Sequence, residues 1–277
     1  RPNKHWNLTF GQTKLPGNRQ RLNSSGALQL TDRSINNAKF TLDRDFGFQV
    51  HNTNEFKDKF SYNFKTAVST GEGRNVTGNA DAGLAFTGKV ELLPLGSFSK
   101  NGAYFEGDLV REKTPKLMLS GAFQQNNHAR RTQGQLGSDL FEQRTLKSVV
   151  LDVIMKYNGW AAMSSFMSRN ATENAVTVNP NNSLESNYVY VGSGFDHQLS
   201  YNFPSNYEVV GRYSTQKVGD DIKALAPNTK QYTIGLTKYI WEHTFKLQSE
   251  LTFETLNYFN ASAKNNWYVR FQVEIGI

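Results

Sequence analysis

The strongest constraint on the fold is an alternation of apolar and polar side chains in runs of roughly ten residues along nearly the whole chain. The run at 266–277 has this apolar set on one face: Trp267, Val269, Phe271, Val273, Ile275 and Ile277. Tyr268, Arg270, Gln272 and Glu274 lie between them. Successive side chains of a β-strand point to opposite faces, so each run has an apolar and a polar face. Because a tilted strand of about 9–11 residues spans a bilayer, the repetition predicts a transmembrane antiparallel up-and-down β-barrel.

We interpret about twelve runs as strands. They cover residues 5–12, 45–51, 59–69, 83–93, 116–125, 146–158, 159–169, 188–201, 207–216, 229–239, 243–255 and 266–277. Tight connections such as Asn158-Gly159 alternate with long polar loops at 70–82, 126–145, 170–187, 217–228 and 256–265. Short turns at one end and long loops at the other are typical of bacterial outer-membrane barrels. A soluble β-sandwich or lipocalin also alternates apolar and polar residues, but its loops need not sort by length.

Composition narrows the class of protein further. The mean hydropathy is −0.58, and no stretch approaches the ~18 apolar residues of a membrane helix, so a helical membrane protein is excluded. A barrel is compatible, because its polar interior dilutes the apolar signal. The chain has no cysteine, which excludes a disulfide scaffold and thiol chemistry.

Two connections break the regular pattern. Residues 93–115 fall where the alternation of long and short connections requires a short turn. A further strand within them would break that alternation for the rest of the chain. We therefore predict an extended turn. Residues 13–44 form a polar connection of about thirty residues after the first strand. Connections that long are uncommon unless they are functional, so we predict that this one folds inward as a constriction loop.

Several motifs resemble the phosphate-selective porin family of Gram-negative outer membranes. They are Gly11, Gln12, Lys14, Pro16, Ser24-Ser25, Asp32-Arg33, Arg44 and Gly47, with the segments VELLPLGSF, EKTPKLMLSGAF and WYVRFQVEIGI. The resemblance implies a sixteen-stranded barrel, usually a trimer, whose third loop folds inward where residues 13–44 lie here. The first strand would then be the family's fifth, so about four N-terminal strands would be lacking and the last strand would have an unpaired edge. Twelve strands closing alone is the alternative.

The inward connection is rich in cations, and cations also occur on the polar strand faces. The predicted pore-lining, anion-binding residues are Lys14, Arg19, Arg21, Arg33, Lys39, Arg44, Arg212 and Arg270. Arginine presents a fork of donors that matches phosphate and carboxylate oxygens. Two other interpretations remain open, a solvated loop and arginines paired with acids to brace the wall. Acids share the strand faces with these cations, and such a mixed interior favours a general water-filled passage over a strict filter.

These observations lead to a functional hypothesis. Residues 1–277 form one β-barrel domain in the cell outer membrane, a porin for passive diffusion of small hydrophilic solutes with a weak preference for anions such as phosphate. The alternative is a structural or accessory β-barrel subunit of a larger outer-membrane complex. No histidine has metal-ligand spacing and no Ser/His/Asp set follows from spacing, so we expect no enzyme, metal or cofactor. The expected partners are outer-membrane lipid, small solutes or anions, and a homotrimer or larger complex, without nucleic acid.

Overall fold

Antiparallel β-strands make up most of the computed structural model, which describes residues 3–76 and 83–276. The strands are β1 Trp6–Lys14, β2 Arg44–Asn54, β3 Ser61–Ser69, β4 Ala85–Leu93, β5 Lys116–Arg131, β6 Asp139–Tyr157, β7 Trp160–Ala171, β8 Val176–Asn179, β9 Asn182–Tyr188, β10 Gly192–Asn202, β11 Tyr207–Val218, β12 Asn228–Trp241, β13 Phe245–Asn257 and β14 Lys264–Ile275. Two short helices, α1 Arg19–Leu22 and α2 Ile35–Phe40, lie between β1 and β2. Among the described residues no helix is long and apolar enough to cross a membrane. Residues 77–82 of the predicted loop 70–82, and Ile277, lie outside the described residues.

Twelve of the strands form one sheet in the order β1 to β7 followed by β10 to β14. Each strand pairs antiparallel with the next, so the chain goes up and down without a crossover. Each predicted segment overlaps one strand of this sheet, and the predicted all-β antiparallel class is confirmed. The sheet is open: within the described residues β1 pairs only with β2, and β14 only with β13.

The alternation seen in the sequence separates the two faces of the sheet. On β4, Phe86 and Val90 are 47% and 42% exposed, whereas Lys89 and Glu91 are each 1% exposed. The same division holds along the neighbouring strands, with apolar side chains on the outer face and polar side chains on the inner face. The inner face is therefore the polar one, as a barrel with an aqueous interior requires.

The connections sort by length as predicted. Residues 55–60, 158–159, 203–206 and 242–244 make short connections at one end, here called the short-turn end. Asn158 and Gly159 both have positive φ, as a two-residue hairpin turn demands. Aromatic side chains gather there on the outer face, with the Tyr201 ring 4.8 Å from Trp160 and 4.9 Å from Phe203. Such rings are typical of the membrane–water boundary.

At the opposite, long-loop end two predicted loops are wrong in part. Strands β5 and β6 continue as a hairpin through most of 126–145, and 170–187 contains the separate hairpin β8–β9. Both extensions pack over a hydrophobic cluster that includes Leu146, Val189 and Ile222. Strands β8 and β9 have only 4 and 7 residues, so they do not give the ten-residue alternation from which the other strands were predicted.

Candidate functional site

Residues 15–43, here called the inward segment, lie against the polar inner face of the sheet. The segment leaves β1 at the long-loop end and reaches the short-turn end, where Lys246 Nζ donates to the carbonyls of Gly26 at 3.0 Å and Leu28 at 2.6 Å. It then returns through α2, where Asn36 Nδ2 donates to Asp196 Oδ1 of β10 at 2.8 Å. The inward segment therefore crosses the interior twice, once towards the short-turn end and once back.

Side-chain contacts tie the two ends of the inward segment together. Asn18 Nδ2 donates to Asn37 Oδ1 at 2.9 Å, and Thr41 Oγ1 donates to Asn18 Oδ1 at 2.7 Å. Leu15 and Leu42 are buried beside Ala67 of β3. Ser34 is the N-cap of α2, accepting from the Asn37 backbone N–H at 3.1 Å, and so fixes where the helix begins on the returning part of the segment. These contacts give the segment a defined shape inside the sheet.

The tip of the inward segment is held by buried polar side chains of four strands. Gln29 Nε2 donates to Ser200 Oγ and to Glu208 Oε1, both at 2.5 Å. The Gln29 carbonyl accepts from Thr237 Oγ1 at 2.8 Å and from Gln248 Nε2 at 2.9 Å. The tip is thereby fixed to β10, β11, β12 and β13.

Residues 94–115, here called the floor segment, enter the interior from the short-turn end. Strands β4 and β5 pair directly, so this connection contains no spanning strand and is the predicted extended turn. Arg111 Nη2 donates to the Asn158 carbonyl at 3.0 Å, and Asp108 Oδ2 accepts from the Gly159 N–H at 2.7 Å. Glu106 N donates to the Ala27 carbonyl at 2.9 Å. The floor segment therefore joins the β6–β7 turn to the tip of the inward segment.

His243, in the turn between β12 and β13, lies where the floor segment meets the sheet. Its ring is 4.5 Å from Phe105 of the floor segment and 5.3 Å from Tyr239, centroid to centroid. Burial, together with the charges of Lys246 and Lys156, lowers the pKa of His243 to about 4, although a hydrogen bond with the Gly26 backbone acts in the opposite direction. The ring is therefore neutral at physiological pH.

Buried charges of both signs brace the wall behind the inward segment. Lys65 Nζ lies 2.9 Å from Glu91 Oε2, and Lys89 Nζ lies 3.4 Å from Glu91 Oε1. Lys89 Nζ also lies 4.0 Å from Asp152 Oδ2 and donates to the Gly17 carbonyl at 2.8 Å. These ions are paired and almost fully buried, so they hold the segment to β3, β4 and β6 rather than facing a solute.

Two of the predicted anion-binding residues, Arg19 and Arg212, hold parts of the interior together. Arg19 is 3% exposed, and its guanidinium donates to the carbonyls of Ala103 at 2.8 Å and Phe105. Arg212 is 6% exposed and donates to the Asp32 carbonyl at 3.0 Å. Lys39 is elsewhere, with Nζ 5.0 Å from the centroid of the Tyr190 ring. Arg19 and Arg212 thus hold backbone carbonyls, whereas the bracing interpretation that the sequence left open had arginines paired with acids.

Four other predicted residues come together, with one that the sequence analysis missed. We call Lys14, Arg21, Arg33, Arg44 and Arg74 the basic cluster. Lys14 and Arg44 are direct cross-strand partners on β1 and β2, and Lys14 Nζ and Arg33 Nη2 both donate to the Asn23 carbonyl at 3.2 Å. Arg21 and Arg74 both pair with the Asp43 carboxylate. Arg74 lies in the 70–84 connection, 30 residues further along the chain than Arg44, so only the fold places it there.

The last predicted residue, Arg270, faces the same side of the interior from the other edge of the sheet. Its Nη1 atom lies 3.3 Å from Glu250 Oε1 and 3.6 Å from Asp32 Oδ2. Arg270 is on β14 and Lys14 is on β1, the two edge strands. The inward segment therefore contacts both edge strands, through Asp32 beside Arg270 and the Asn23 carbonyl beside Lys14.

The structure also brings together Ser164 and His197, a pair that spacing in the sequence did not indicate. Ser164 Oγ lies 2.9 Å from His197 Nδ1, a direct cross-strand pair of β7 and β10 on the outer face. A hydrolytic triad also needs a group that orients the histidine and donors for an oxyanion. Within residues 3–76 and 83–276, no hydrogen bond joins His197 to a third group that would orient it. No cluster of His, Asp or Glu in these residues suits a metal ion.

Comparison with known proteins gives a likeness of fold. No family model matches the chain, and no curated protein sequence does. A high-pH structure of OprB from Pseudomonas putida, an outer-membrane porin, matches with a TM-score of 0.57 at 9% sequence identity. The match covers 97% of this chain and 69% of the OprB chain. At this identity the likeness is one of fold alone, and it does not distinguish the phosphate-selective family from other porins.

Proposed function

We propose that the protein is an outer-membrane porin through which small hydrophilic solutes diffuse passively, with a weak preference for anions such as phosphate, rather than an enzyme. The observation that carries the proposal is the inward segment inside a sheet that is apolar outside and polar inside. This segment is bonded to the wall through Lys89, and the basic cluster lies where the segment joins β1 and β2. The porin-like fold supports the same function.

The proposal includes closure of the barrel by further strands between β14 and β1. Each of these strands pairs on one side only within the described residues. A backbone N–H or C=O without a partner in hydrocarbon costs several kcal/mol, so open edges are not stable in lipid. Closure completes the wall opposite the basic cluster, and the passage lies between that wall and the inward segment.

The anion preference should be modest. The buried cations Lys65 and Lys89 are paired with Glu91 and Asp152, and so contribute little to the field in the passage. The basic cluster contributes five positive charges, two of which pair with the carboxylate of Asp43. Since the passage is filled with water, water and salt screen this excess.

Planar-bilayer recording tests the channel. Purified, folded protein should give discrete conductance steps, and the reversal potential in a KCl gradient should indicate a small preference for chloride that fades as salt rises. A folded preparation without steps would refute the porin, and a preference for potassium would refute the anion preference.

A structural or accessory subunit of a larger outer-membrane complex is the second candidate. The inward and floor segments fill much of the interior with buried polar contacts, which a structural barrel would also use. Native mass spectrometry in mild detergent separates the two functions. Stable association with a different outer-membrane protein, together with absent conductance, would favour the subunit, whereas conducting homotrimers would favour the porin.

A further inference from the structure

We propose that Glu106 of the floor segment is a positioning residue that holds the inward segment in place and so sets the width of the passage beside it. This inference rests on the proposed channel function, and it assigns a role to a residue of the short-turn end that none of the sequence motifs indicated.

Glu106 is a buried point of attachment between the two segments. Its side chain is 1% exposed, yet both carboxylate oxygens have partners. Oε1 accepts from Gln20 Nε2 at 3.0 Å, and Oε2 accepts from the Gln29 N–H at 3.0 Å and Gln198 Nε2 at 3.3 Å. The backbone N–H of Glu106 adds a bond to the Ala27 carbonyl at 2.9 Å. One residue thereby fixes the inward segment at residues 20, 27 and 29.

A carboxylate suits this position because every group around it is a donor. In E106Q one oxygen becomes an NH2 group, which must face either the Gln29 N–H or Gln20. The Gln29 donor belongs to the backbone and cannot turn away. Turning the Gln20 amide would take its Oε1 atom from the Ser34 N–H, which it accepts at 2.8 Å. Either arrangement leaves a buried donor without an acceptor, so the attachment weakens.

Glu112 provides a matched control in the same segment. It is also a buried glutamate with both oxygens occupied, by the Ser99 N–H at 2.6 Å and Ser99 Oγ at 2.9 Å. Both of these bonds remain within the floor segment. A general loosening of the floor segment should therefore appear in E112Q, whereas loss of the attachment should appear only in E106Q.

Hydrogen exchange measures the attachment independently of conductance. We expect amides of residues 26–31 to exchange about tenfold faster in E106Q than in the wild type and to be unchanged in E112Q. In planar bilayers E106Q should show more frequent sublevels and a broader distribution of conductance steps than E112Q. Equal exchange at residues 26–31 in the two variants would overturn the proposal. A silent wild type would instead refute the channel, and with it any effect on width, while the exchange data would still report the attachment.

A cross-link supplies a second test, because the chain has no cysteine of its own. In A27C/E106C the two backbones are already joined by a hydrogen bond, so a disulfide can replace the lost carboxylate. The oxidised variant should have steady conductance and wild-type exchange, and reduction should restore the sublevels and the faster exchange. Identical behaviour of the oxidised and reduced forms, once mass spectrometry has verified the disulfide, would contradict the role of Glu106.

Discussion

Removing two charges of the basic cluster should reduce anion selectivity by a predictable amount. Lys14 and Arg44 face each other across β1 and β2, so the double variant K14Q/R44Q removes two like charges that repel each other. The cluster and Asp43 together carry five positive charges and one negative, a net of +4, and the variant lowers this net to +2.

The expected magnitude follows from screened electrostatics. At a distance of about 10 Å in water, one unit charge interacts with a monovalent ion by about 0.4 kcal/mol. In 0.1 M salt, where the Debye length is about 10 Å, screening reduces this interaction energy to about 0.15 kcal/mol. Four net charges then favour chloride by about 0.6 kcal/mol and disfavour potassium by the same amount, which gives a chloride-to-potassium permeability ratio of about 8, and two net charges give a ratio of about 3. In 1 M salt the Debye length is about 3 Å, and both ratios should approach 1.

Reversal potentials in a KCl gradient centred near 0.1 M measure these ratios. The matched control is K217Q/K230Q, which removes two exposed lysines of β11 and β12 from the outer face near the same end of the sheet. The control should keep the wild-type ratio. An unchanged ratio in K14Q/R44Q, or an equal fall in the control, would refute the argument that the basic cluster faces the passage.

Three further predictions concern the packing of the interior. In G194A the added Cβ would overlap the Asn36 side chain, so we expect a loss of about 1–3 kcal/mol in unfolding free energy, whereas G211A, with open space around its Cβ, should melt like the wild type. Replacing Arg19 by methionine leaves two carbonyls of the floor segment unpaired and should cost about 2–4 kcal/mol in urea unfolding; an unchanged midpoint would contradict the bracing role. The folded-state pKa of His243 is lowered to about 4, so its stabilising effect is present above about pH 6.5 and is lost as the pH falls towards 4. The unfolding free energy of H243Q should therefore depend less on pH across that window. Parallel profiles for H243Q and the wild type would contradict this.

The sequence predicted the sheet better than the interior, for a physical reason. Alternation along a strand is local, and each predicted run overlaps a strand. The contacts of the inward segment are not local: Arg19 and Ala103 are 84 residues apart, and no periodicity records their meeting. Charge alone could not separate Arg19, a buried brace, from Arg33, a member of the basic cluster. Arg74 was overlooked for the same reason, since only the shared carboxylate of Asp43 brings it beside Arg21.

The contacts at the tip of the inward segment impose an order on folding. Lys246 lies 220 residues after Gly26 in the chain, yet its ammonium group holds the Gly26 carbonyl. Contacts of such long sequence separation form late, because the entropy of closing the intervening chain must be overcome first. The bonds between the tip of the inward segment and β13 can therefore form only after β13 has joined the sheet. Until then the tip lacks the bonds from Lys246 and Gln248, so its final attachment follows the pairing of most of the strands.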